Sequence, residues 1–523
     1  MISNNTTNNL LNKTRHICMT IAVKSKSDLD HLVSKKALCI ISLFFIAALF
    51  SSSLIPDANG WLAPPSVIVK NEAELRDAIN TSNGWIGLGN DIVLKESLEI
   101  SDGKRIALAG SGGGYQRLIG AKGLDTIIVK SGGELTLQYG VVVTHAKGAS
   151  GRGVYVENGG TLTLYNCEIS GNTATEGGGV YNAGVFNIGS DGRIEDRMAD
   201  VGVICGNTAT QGGGVYNVGY FALYNKGVIR ENKCVDTKTS MGEGGGVYNT
   251  GNFTMKNDVG NSYFYTLPKN DAGVSYYNVA SSGISYNMAT TGGGVYNVGN
   301  FNMNHGEIIY NTATEGGGVY NNGDFNINNF GYTNSIGDNT AVKGGGVYNV
   351  GNFNMNDGGW IRANKCVDTK NSLGVGGGVY NSGNFNMKAD NIRYNAATNG
   401  GGVYNVGTFS TAGTICENIA MKRGGGVYTV DNVGTFDITN TRTAFIEMNV
   451  AASGDGDNVF TGIDEVFNEN SDNGIEFFYL LTIIIIVVIA AIVMVIGLLI
   501  YRSKRQKQLM TKDLVDSNDD GAV

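Results

Sequence analysis

The stretch that decides the fold runs from Gly292 to Asn311 and reads GGGVYNVGNFNMNHGEIIYN. Its first six residues, GGGVYN, occur eight times in the chain. Three consecutive glycines disfavour both helix and strand, because glycine loses more backbone freedom on folding than any other residue. A chain that repeats this feature in one fixed context indicates a repeated backbone geometry that glycine alone permits.

The valine of each GGGV marks the register of the repeat. It stands at positions 180, 215, 247, 295, 319, 347, 379, 403 and 427, which gives steps of 35, 32, 48, 24, 28, 32, 24 and 24 residues. A step of 24 is therefore the bare unit, and longer steps carry insertions. The step of 48 is predicted to hold two units, and the degenerate copy GRGVY places Val154 in the same register.

The spacing inside the unit predicts three short strands separated by turns. In the first eight units a phenylalanine follows the valine by six residues, at positions 186, 221, 253, 301, 325, 353, 385 and 409. In seven of them an asparagine precedes the valine by eight residues, at 172, 207, 287, 311, 339, 371 and 395. These distances do not fit a helical stripe. In the unit that begins at Gly292 we predict strands at 294–297, 300–304 and 307–310.

Stacked units of this kind predict an all-β fold, a right-handed parallel β-helix. The strands of neighbouring coils are expected to pair by hydrogen bonds at a spacing of about 4.8 Å. The side chains expected to point inward are Val295, Phe301, Met303, Ile308 and Ala313. The glycines then allow sharp turns and close approach of neighbouring coils. The tyrosines are predicted to stack outside as a structural lattice. The asparagine after each tyrosine is predicted to bond the coils above and below, at positions 182, 217, 249, 297, 321, 349, 381 and 405.

Two apolar segments bracket the repeats. Residues 37–56, after the polar and basic extension 1–36, are predicted to be a signal peptide or a retained signal anchor. Residues 477–501 predict a transmembrane helix, since positions 479–501 hold eight Ile, four Val and four Leu without a charge. The basic residues that follow at once place the tail, 502–523, in the cytoplasm. The predicted location is therefore a cell membrane crossed once, with the ectodomain outside.

Between these segments the chain divides into three predicted parts. Residues 57–110 form an N-terminal cap that includes an amphipathic helix over 71–80, with Leu75, Ala78 and Ile79 on its apolar face. Residues 111–450 form the parallel β-helix, for which we expect 11 to 14 coils. Residues 451–476 form a linker to the membrane helix.

Composition excludes several classes of function. The net charge is −8 and no dense basic stretch precedes the C-terminal tail, so nucleic-acid binding is not expected. The repeat cysteines form no CxxC pair, which leaves two alternatives, thiols that fill the core or a disulfide between neighbouring repeats. His145 and His305 lie outside any acidic motif, and Asp455 and Asp457 are expected to be solvated. We therefore predict no catalytic residue, no metal site and no cofactor.

The repeat motifs support a resemblance. GGGVYN followed by FNMN and NTA resembles the repeats of large adhesin-like β-helix proteins of bacteria and methanogenic archaea. It is also similar to the GGA[ILV] and FxxN repeats of chlamydial polymorphic outer-membrane proteins. FxxN occurs here at Phe301–Asn304, Phe325–Asn328 and Phe353–Asn356. This chain has one apolar helix where the chlamydial proteins have an autotransporter barrel. The resemblance implies the fold and a surface role, and it transfers no catalytic residue.

These observations predict a membrane-anchored cell-surface protein, an adhesin or surface-interaction protein that is not an enzyme. Its expected partners are glycans or proteins on other cells. The insertions at 183–204, 233–243 and 365–375 are expected to make the specific contacts, joined by 257–285 if these residues form no coil of their own. Two alternatives stay open, a polysaccharide lyase or hydrolase on the same scaffold and a purely structural envelope component.

Overall fold

The computed structural model describes residues 67–462, apart from 112–113, 190–200, 225–226, 257–282, 329–333, 357, 432, 440–443 and 454. The predicted export segment 37–56 and the predicted transmembrane helix 477–501 lie outside the described residues. Within the described part of the chain, no helix is both long enough and apolar enough to span a membrane.

Three long sheets of parallel strands form a β-solenoid, as the repeat predicts. The Phe sheet holds fourteen strands, Val67–Val69, Trp85–Leu88, Arg105–Gly110, Glu134–Gln138, Thr161–Tyr165, Val185–Ile188, Tyr220–Leu223, Asn252–Met255, Asn300–Met303, Asp324–Ile327, Asn352–Met355, Asn384–Met387, Thr408–Thr411 and Thr435–Ile438. The Ile sheet holds thirteen, Ile92–Val93, Gln116–Gly120, Val141–His145, Cys167–Ser170, Gly202–Cys205, Val228–Arg230, Gly283–Ser285, Glu307–Ile309, Asn334–Gly337, Gly359–Arg362, Asn391–Arg393, Thr414–Cys416 and Phe445–Glu447. The Tyr sheet also holds thirteen, Leu98–Ile100, Ile127–Val129, Val154–Val156, Val180–Asn182, Val215–Asn217, Val247–Asn249, Val295–Asn297, Val319–Asn321, Val347–Asn349, Val379–Asn381, Val403–Asn405, Val427–Val430 and Val459–Gly462.

A fourth, interrupted ladder, which the spacing of the repeat does not predict, lies between the Ile sheet and the Tyr sheet. Its strands are Thr208–Ala209 and Lys233–Cys234 in one group, and Thr340–Ala341, Lys365–Cys366, Ala396–Asn399, Ile419–Arg423 and Val450–Ala451 in the other. Five of these seven strands have only two residues, which is too few to show an alternating pattern of buried and exposed residues. The three predicted strands of the unit at Gly292 are confirmed within one residue at each end.

One continuous core runs along the inside of the solenoid. Val295, Phe301, Met303 and Ile308 are fully buried in it, as predicted. Ala313 is half-buried, whereas the residues at the same place in the neighbouring coils, Ala289 and Ala341, are buried. The repeated phenylalanines stack from coil to coil with ring centroids 4.6–5.2 Å apart, from Phe186 through Phe221, Phe253, Phe301, Phe325, Phe353, Phe385 and Phe409 to Phe436.

The step of 48 residues holds one coil and an insertion, and the prediction of two units is wrong. Val247 pairs directly with Val295, and Phe253 pairs directly with Phe301. No strand of a second unit can lie between partners that share a ladder. Residues 257–282, between the strands Asn252–Met255 and Gly283–Ser285, lie outside the described residues.

The glycine triplets lie in a column along the solenoid, and each glycine has a physical reason. Gly316 has φ +65°, a backbone conformation that a side chain disfavours. A Cβ on Gly317 would lie 2.5 Å from the carbonyl oxygen of Gly345, in the equivalent triplet of the next coil. Backbone N–H groups of one triplet donate to carbonyls of the next, as from Gly317 to Gly344 at 3.1 Å. Both predicted causes, turn geometry and close approach, are confirmed.

The asparagine after each tyrosine forms the predicted ladder. From Asn182 to Asn405 each amide donates through Nδ2 to Oδ1 of the next asparagine at 2.7–2.8 Å. Asn321 also donates to the carbonyls of Gly323 at 3.1 Å and Asn352 at 3.0 Å. These side chains are fully buried, so the ladder satisfies polar groups that would otherwise destabilise the fold.

We expect Asn321→Ala to lower the free energy of unfolding by about 2–3 kcal/mol, because it leaves the buried acceptor of Asn349 and two carbonyls without their donor. Asn302→Ala is the matched control, since this half-buried side chain lies on the outer face and should change stability by less than about 0.5 kcal/mol. Thermal unfolding followed by circular dichroism measures both. Equal losses in the two variants would contradict a special contribution of the ladder.

A second asparagine ladder, which the sequence analysis did not recognise, follows the Ile sheet. Each member donates through Nδ2 to Oδ1 of the next at 2.9–3.1 Å, from Asn172 through Asn207, Asn232, Asn287, Asn311, Asn339, Asn364, Asn395 and Asn418 to Asn449. Asn371, which has the repeated distance to the valine, lies in an insertion and is not a member. The insertion 365–375 lies between the ladder asparagine, Asn364, and the valine of its unit, Val379. Counting eight residues back from this valine therefore selects Asn371 in place of Asn364.

The N-terminal end of the solenoid carries the predicted amphipathic helix, Glu72–Thr81. Asn71 caps it by accepting the N–H of Glu74 at 3.1 Å. The predicted apolar face, Leu75, Ala78 and Ile79, is buried in the core. The solenoid extends beyond the range 111–450 predicted for it. Parallel strands already stack within the predicted cap, 57–110, and the last strand, Val459–Gly462, lies within the predicted linker, 451–476.

The cysteines of the described residues are free thiols, which agrees with the core-filling alternative and not with a disulfide. Cys167, Cys234, Cys366 and Cys416 are buried, and Cys205 is half-buried. Burial raises the pKa of the Cys234 thiol to about 12, so the neutral form prevails at physiological pH.

Candidate functional site

Alternate residues of each strand face outward, so every sheet carries straight columns of side chains on the outside of the solenoid. The tyrosines of the repeat form one column on the Tyr sheet and stack there as predicted. Ring centroids of consecutive members lie 4.6–5.4 Å apart, through Tyr155, Tyr181, Tyr216, Tyr248, Tyr296, Tyr320, Tyr348, Tyr380, Tyr404, Tyr428 and Phe460. Partial burial, with the charge of Glu176, raises the pKa of Tyr216 to about 12. The column therefore presents neutral hydroxyls.

One end of the tyrosine column is covered. Val375 is buried together with Tyr404 and Tyr428, and Leu373 packs against this group. In the equivalent insertion of an earlier coil, the corresponding positions hold Met241, which is 63% exposed, and Glu243. The tyrosines are thus accessible along the middle of the solenoid and covered towards its C-terminal end.

The outer face of the Phe sheet is an array of amides. Asn354 donates to Asn326 at 3.0 Å and Asn356 donates to Asn328 at 2.9 Å, so side chains of successive coils hold one another in place. In a third column, Asn352 Nδ2 donates to Asp324 Oδ1 at 2.8 Å. This face offers fixed hydrogen-bond donors and acceptors with little charge.

The insertion at 233–243 is anchored by its aspartate. Asp236 Oδ1 accepts the N–H of Gly242 at 2.7 Å and the hydroxyl of Thr290, in the next coil, at 2.5 Å. The thiol of Cys234 donates to the carbonyl of Glu243 at 3.1 Å. These bonds fix the base of the loop and leave its tip exposed.

The insertion at 365–375 repeats this construction. Asp368 Oδ1 accepts the N–H of Gly374 at 2.6 Å and the hydroxyl of Thr398 at 2.5 Å. The thiol of Cys366 donates to the carbonyl of Val375 at 3.2 Å. Both insertions leave the solenoid at the same corner, just before the glycine triplet. The structure therefore shows two copies of one loop on one edge.

The other predicted loop ranges need correction. Strands Val185–Ile188 and Gly202–Cys205 occupy both ends of 183–204, and residues 190–200 lie outside the described part. The strand Gly283–Ser285 likewise occupies the end of 257–285. Lys233–Cys234 and Lys365–Cys366 belong to the fourth ladder. The insertions are therefore shorter than predicted. The ends of these strands carry no residue that recurs in every repeat, so the spacing of repeated residues does not reveal them.

A column of residues in the left-handed backbone conformation lies where the Ile sheet ends, directly before the second asparagine ladder. Eight members of this left-handed column are not glycine and have φ of 55–59°, namely Glu231, Tyr286, Tyr310, Asp338, Ala363, Tyr394, Glu417 and Met448. Two earlier coils carry Gly171 and Gly206 at this place. A left-handed conformation costs a residue with a side chain about 1–2 kcal/mol. Large residues here are therefore unusual.

The tyrosines of the left-handed column are exposed. Tyr286, Tyr310 and Tyr394 keep 45–53% of their surface in contact with solvent. The rings of Tyr286 and Tyr310 stack with centroids 5.0 Å apart. Such a pair contributes about 0.5–1.5 kcal/mol, which at best offsets the backbone cost of one residue. Stability alone does not account for these side chains.

We expect Ala363→Gly to raise the free energy of unfolding by about 1 kcal/mol, because glycine removes the left-handed strain at φ 55°. Ala341→Gly, on a buried strand, is the control and should lower stability, since it deletes a buried methyl group and adds freedom to the unfolded chain. Urea unfolding of the two variants tests this. A loss of stability in Ala363→Gly would contradict the assigned strain.

Charged residues from three coils meet on the outside of the Ile sheet beside this column. Arg362 Nη2 lies 3.9 Å from Glu307 Oε1, and its Nε donates to Ser335 Oγ at 3.0 Å. Burial raises the pKa of the Glu307 carboxyl, and Arg362 opposes this rise. Burial also raises the pKa of Asp338. The repeat pattern does not predict this group, because its members come from different repeats and share no motif.

A second group extends the same face by two coils, with Arg393 and Tyr394 on the first and Glu417 on the second. The Arg393 guanidinium lies over the rings of Trp360 at 5.3 Å and Tyr394 at 4.7 Å. It donates to Glu417 Oε2 at 2.6 Å and to the Tyr394 hydroxyl at 3.0 Å. The hydrogen bond from Arg393 lowers the pKa of Glu417. This arrangement holds two aromatic rings in fixed positions at the surface.

The two histidines considered in the sequence analysis lie apart from these groups. His145 is buried at the start of the second asparagine ladder, with Nδ1 2.8 Å from Asn172 Oδ1. Burial lowers the pKa of His305. Asp455 pairs with Arg423 at 3.3 Å, and Asp457 accepts the N–H of Ala451 at 2.8 Å. Among the residues that the structure describes, no three His, Cys, Asp or Glu side chains are grouped to hold a metal ion.

Comparison with known proteins does not assign the chain to a family. No protein-family model matches it, and no curated protein matches it. A search of solved structures found a protein described as "L. reuters 100-23 SRRP", with 11% sequence identity and a TM-score of 0.21. The match covers 77% of this chain and 98% of that chain.

Proposed function

We propose that the protein is a membrane-anchored adhesin, a rod at the cell surface that binds other surfaces and catalyses no reaction. A stacked β-solenoid is typical of surface and structural repeat proteins. The observation that carries the proposal is the repetition of the same outward side chains on consecutive coils, as tyrosines on the Tyr sheet and amides on the Phe sheet. Repeated groups of this kind bind repeated ligands by many weak contacts.

The dimensions of the solenoid suit this role. Fourteen strands of the Phe sheet give thirteen steps of about 4.8 Å, or a length of about 60 Å. We propose that the coils wind to the right, since crossovers between parallel strands are right-handed in nearly all proteins. Such a rod holds its C-terminal end near the membrane and presents its long faces to the surroundings.

The apolar segments of the sequence supply the anchor. The proposed membrane helix, 477–501, is followed by Arg502, Lys504 and Arg505, which favour a cytoplasmic tail. The N-terminal segment, 37–56, is proposed to direct export, either as a cleaved signal peptide or as a retained anchor. The ligands that we propose are glycans or proteins of other cells.

Topology is tested on intact cells that express the full-length chain with one epitope tag in 233–243 and, separately, one at the C-terminus. We expect an antibody to label the first tag on intact cells and the second only after permeabilisation. Mass spectrometry of the mature N-terminus distinguishes cleavage from a retained anchor. Labelling of the C-terminal tag on intact cells would contradict the proposed orientation.

Adhesion is tested with beads that carry the full-length chain in detergent, applied to a panel of cells and to a glycan array. The proposal expects saturable binding that beads without protein do not show. A purely structural envelope component would bind neither cells nor glycans, and that result would overturn the proposal.

The rival function, a surface lyase or hydrolase for polysaccharides, is favoured by one observation. Glu307, Asp338 and Arg362 gather on one face, and burial raises the pKa values of both carboxyls, as general acids require. Incubation of the full-length chain with pectins and glycosaminoglycans tests it. Turnover that Glu307→Gln abolishes would replace the adhesin proposal, whereas unchanged polymers would support binding alone.

A further inference from the structure

We propose that the outer face of the Ile sheet, between Tyr286 and Tyr394, is a binding site for a neutral polysaccharide chain. This Ile face comprises the exposed Tyr286, Tyr310 and Tyr394 and the half-buried Trp360, together with Glu307, Asp338, Arg362 and Arg393. The inference rests on the proposed binding function and names the face and the class of ligand.

The first observation that supports this binding site is that two exposed tyrosine rings lie at strained backbone positions. Tyr286 and Tyr310 have φ of 56° and 57°, in a column where Gly171 and Gly206 satisfy the same backbone geometry without a side chain. Both rings are close to half exposed and stacked side by side. The fold therefore requires neither ring, and strained residues that stability does not explain point to function. A flat aromatic surface is suited to the apolar C–H face of a pyranose ring.

The second observation is that polar groups lie beside these rings on the Ile face. Burial raises the pKa of Tyr310, and the nearby charges of Asp338 and Glu307 add to this rise while Arg362 opposes it. The carboxylate oxygens of Asp338 and Glu307 can accept hydrogen bonds from sugar hydroxyls, and the Arg362 guanidinium can donate to sugar oxygens. Alternating acceptors and donors beside an aromatic ring match a ligand that presents hydroxyls around an apolar face.

The charge of the face selects a neutral ligand. Glu307, Asp338 and Glu417 are opposed by Arg362 and Arg393, and the two arginines already engage carboxylates of the chain, at 3.9 Å and 2.6 Å. No excess of positive charge is left in this group for an acidic polymer. A strongly basic ligand would have to compete with the same arginines.

The extent of the face favours a chain over a single sugar. The Ile face from Tyr286 to Tyr394 extends over five successive coils, which span about 19 Å in four steps of about 4.8 Å. Trp360 and Tyr394 hold the Arg393 guanidinium between them and provide a second aromatic surface at the far end. Two aromatic surfaces on one line suit a ligand with several sugar units.

The test uses the full-length chain in detergent and a panel of neutral hexasaccharides of glucose, mannose, galactose and xylose, with a galacturonate hexasaccharide and a basic peptide as comparators. Tyr310→Gly is the decisive variant, because it removes the ring and relieves the strained backbone. We expect at least one neutral hexasaccharide to bind, Tyr310→Gly to weaken this binding at least tenfold, and its melting temperature to stay unchanged or rise.

Ala363→Gly is the matched control, with the same φ range and no ring to lose, and should bind as the unsubstituted chain does. Retention of affinity within twofold in Tyr310→Gly would overturn the inference. Binding confined to the galacturonate chain or to the peptide would overturn the choice of a neutral glycan. If beads still adhere to cells while no hexasaccharide binds, this inference fails and the proposed adhesin function stands. If neither occurs, both fail.

Discussion

Gly317→Ala is expected to lower the free energy of unfolding by about 4 kcal/mol or more, or to prevent folding. The added Cβ would lie 2.5 Å from the carbonyl oxygen of Gly345 and 2.7 Å from that of Thr340. Both oxygens belong to the backbone of the next coil, and hydrogen bonds between the coils hold them in place. A rotamer change cannot relieve the clash, so the coils must separate and lose those bonds.

Gly206→Ala is the control for this prediction. Gly206 has φ +62°, but a Cβ there would meet no atom within 4 Å. We expect a loss of only about 1–2 kcal/mol from left-handed strain. Thermal unfolding compares the variants, and hydrogen exchange shows whether protection is lost around the glycine column. A Gly317→Ala chain as stable as Gly206→Ala would mean that the coils do not approach as closely as described.

Phe325→Ala is expected to cost about 3–5 kcal/mol, the range for a fully buried aromatic residue. Its ring stacks on Phe301 at 4.6 Å and on Phe353 at 4.9 Å, and the side chain is fully buried. Deletion leaves a cavity in the middle of the column. Each coil contacts only its neighbours, so the stack cannot close the gap by moving distant coils.

Two further variants check the origin of this effect. Phe325→Leu keeps most of the volume and should cost clearly less than Phe325→Ala. Phe445→Ala removes a ring that is 53% exposed and should change stability by less than about 1 kcal/mol. Urea unfolding of the three variants provides the comparison. A loss below about 1 kcal/mol for Phe325→Ala would show that the phenylalanine column is not a continuous core.

Local patterns predicted the parts of the fold that recur in each coil. Some positions have the same surroundings in every repeat: those of Val295 and Phe301, the asparagine after the tyrosine and the glycine triplet. Because the environment recurs, the same residue type recurs, and its position can be predicted. Distances counted across insertions failed. Asn371 kept the repeated distance to its valine but lies in a loop, while Asn364 occupies the ladder. The step of 48 residues likewise reflected insertion length and not the number of coils.

The candidate binding face could not be predicted in this way. Glu307, Asp338 and Arg362 belong to different repeats, and no residue type recurs regularly in their columns, so no periodic signal connects them. The left-handed conformation of Tyr286 and Tyr310 is likewise invisible in the sequence, because a tyrosine normally avoids it. Their positions follow from the turn that leads each coil into the buried asparagine.

The sequence by itself determined that the chain forms stacked parallel coils, and it determined which repeated apolar side chains form the core and which glycines are required. The tertiary structure alone decided which single residues of separate coils become neighbours on the Ile face, and where the insertions leave the rod. The physical reason is that repeated residues specify the spacing of coils, whereas contacts between unrepeated residues depend on how many residues each coil contains.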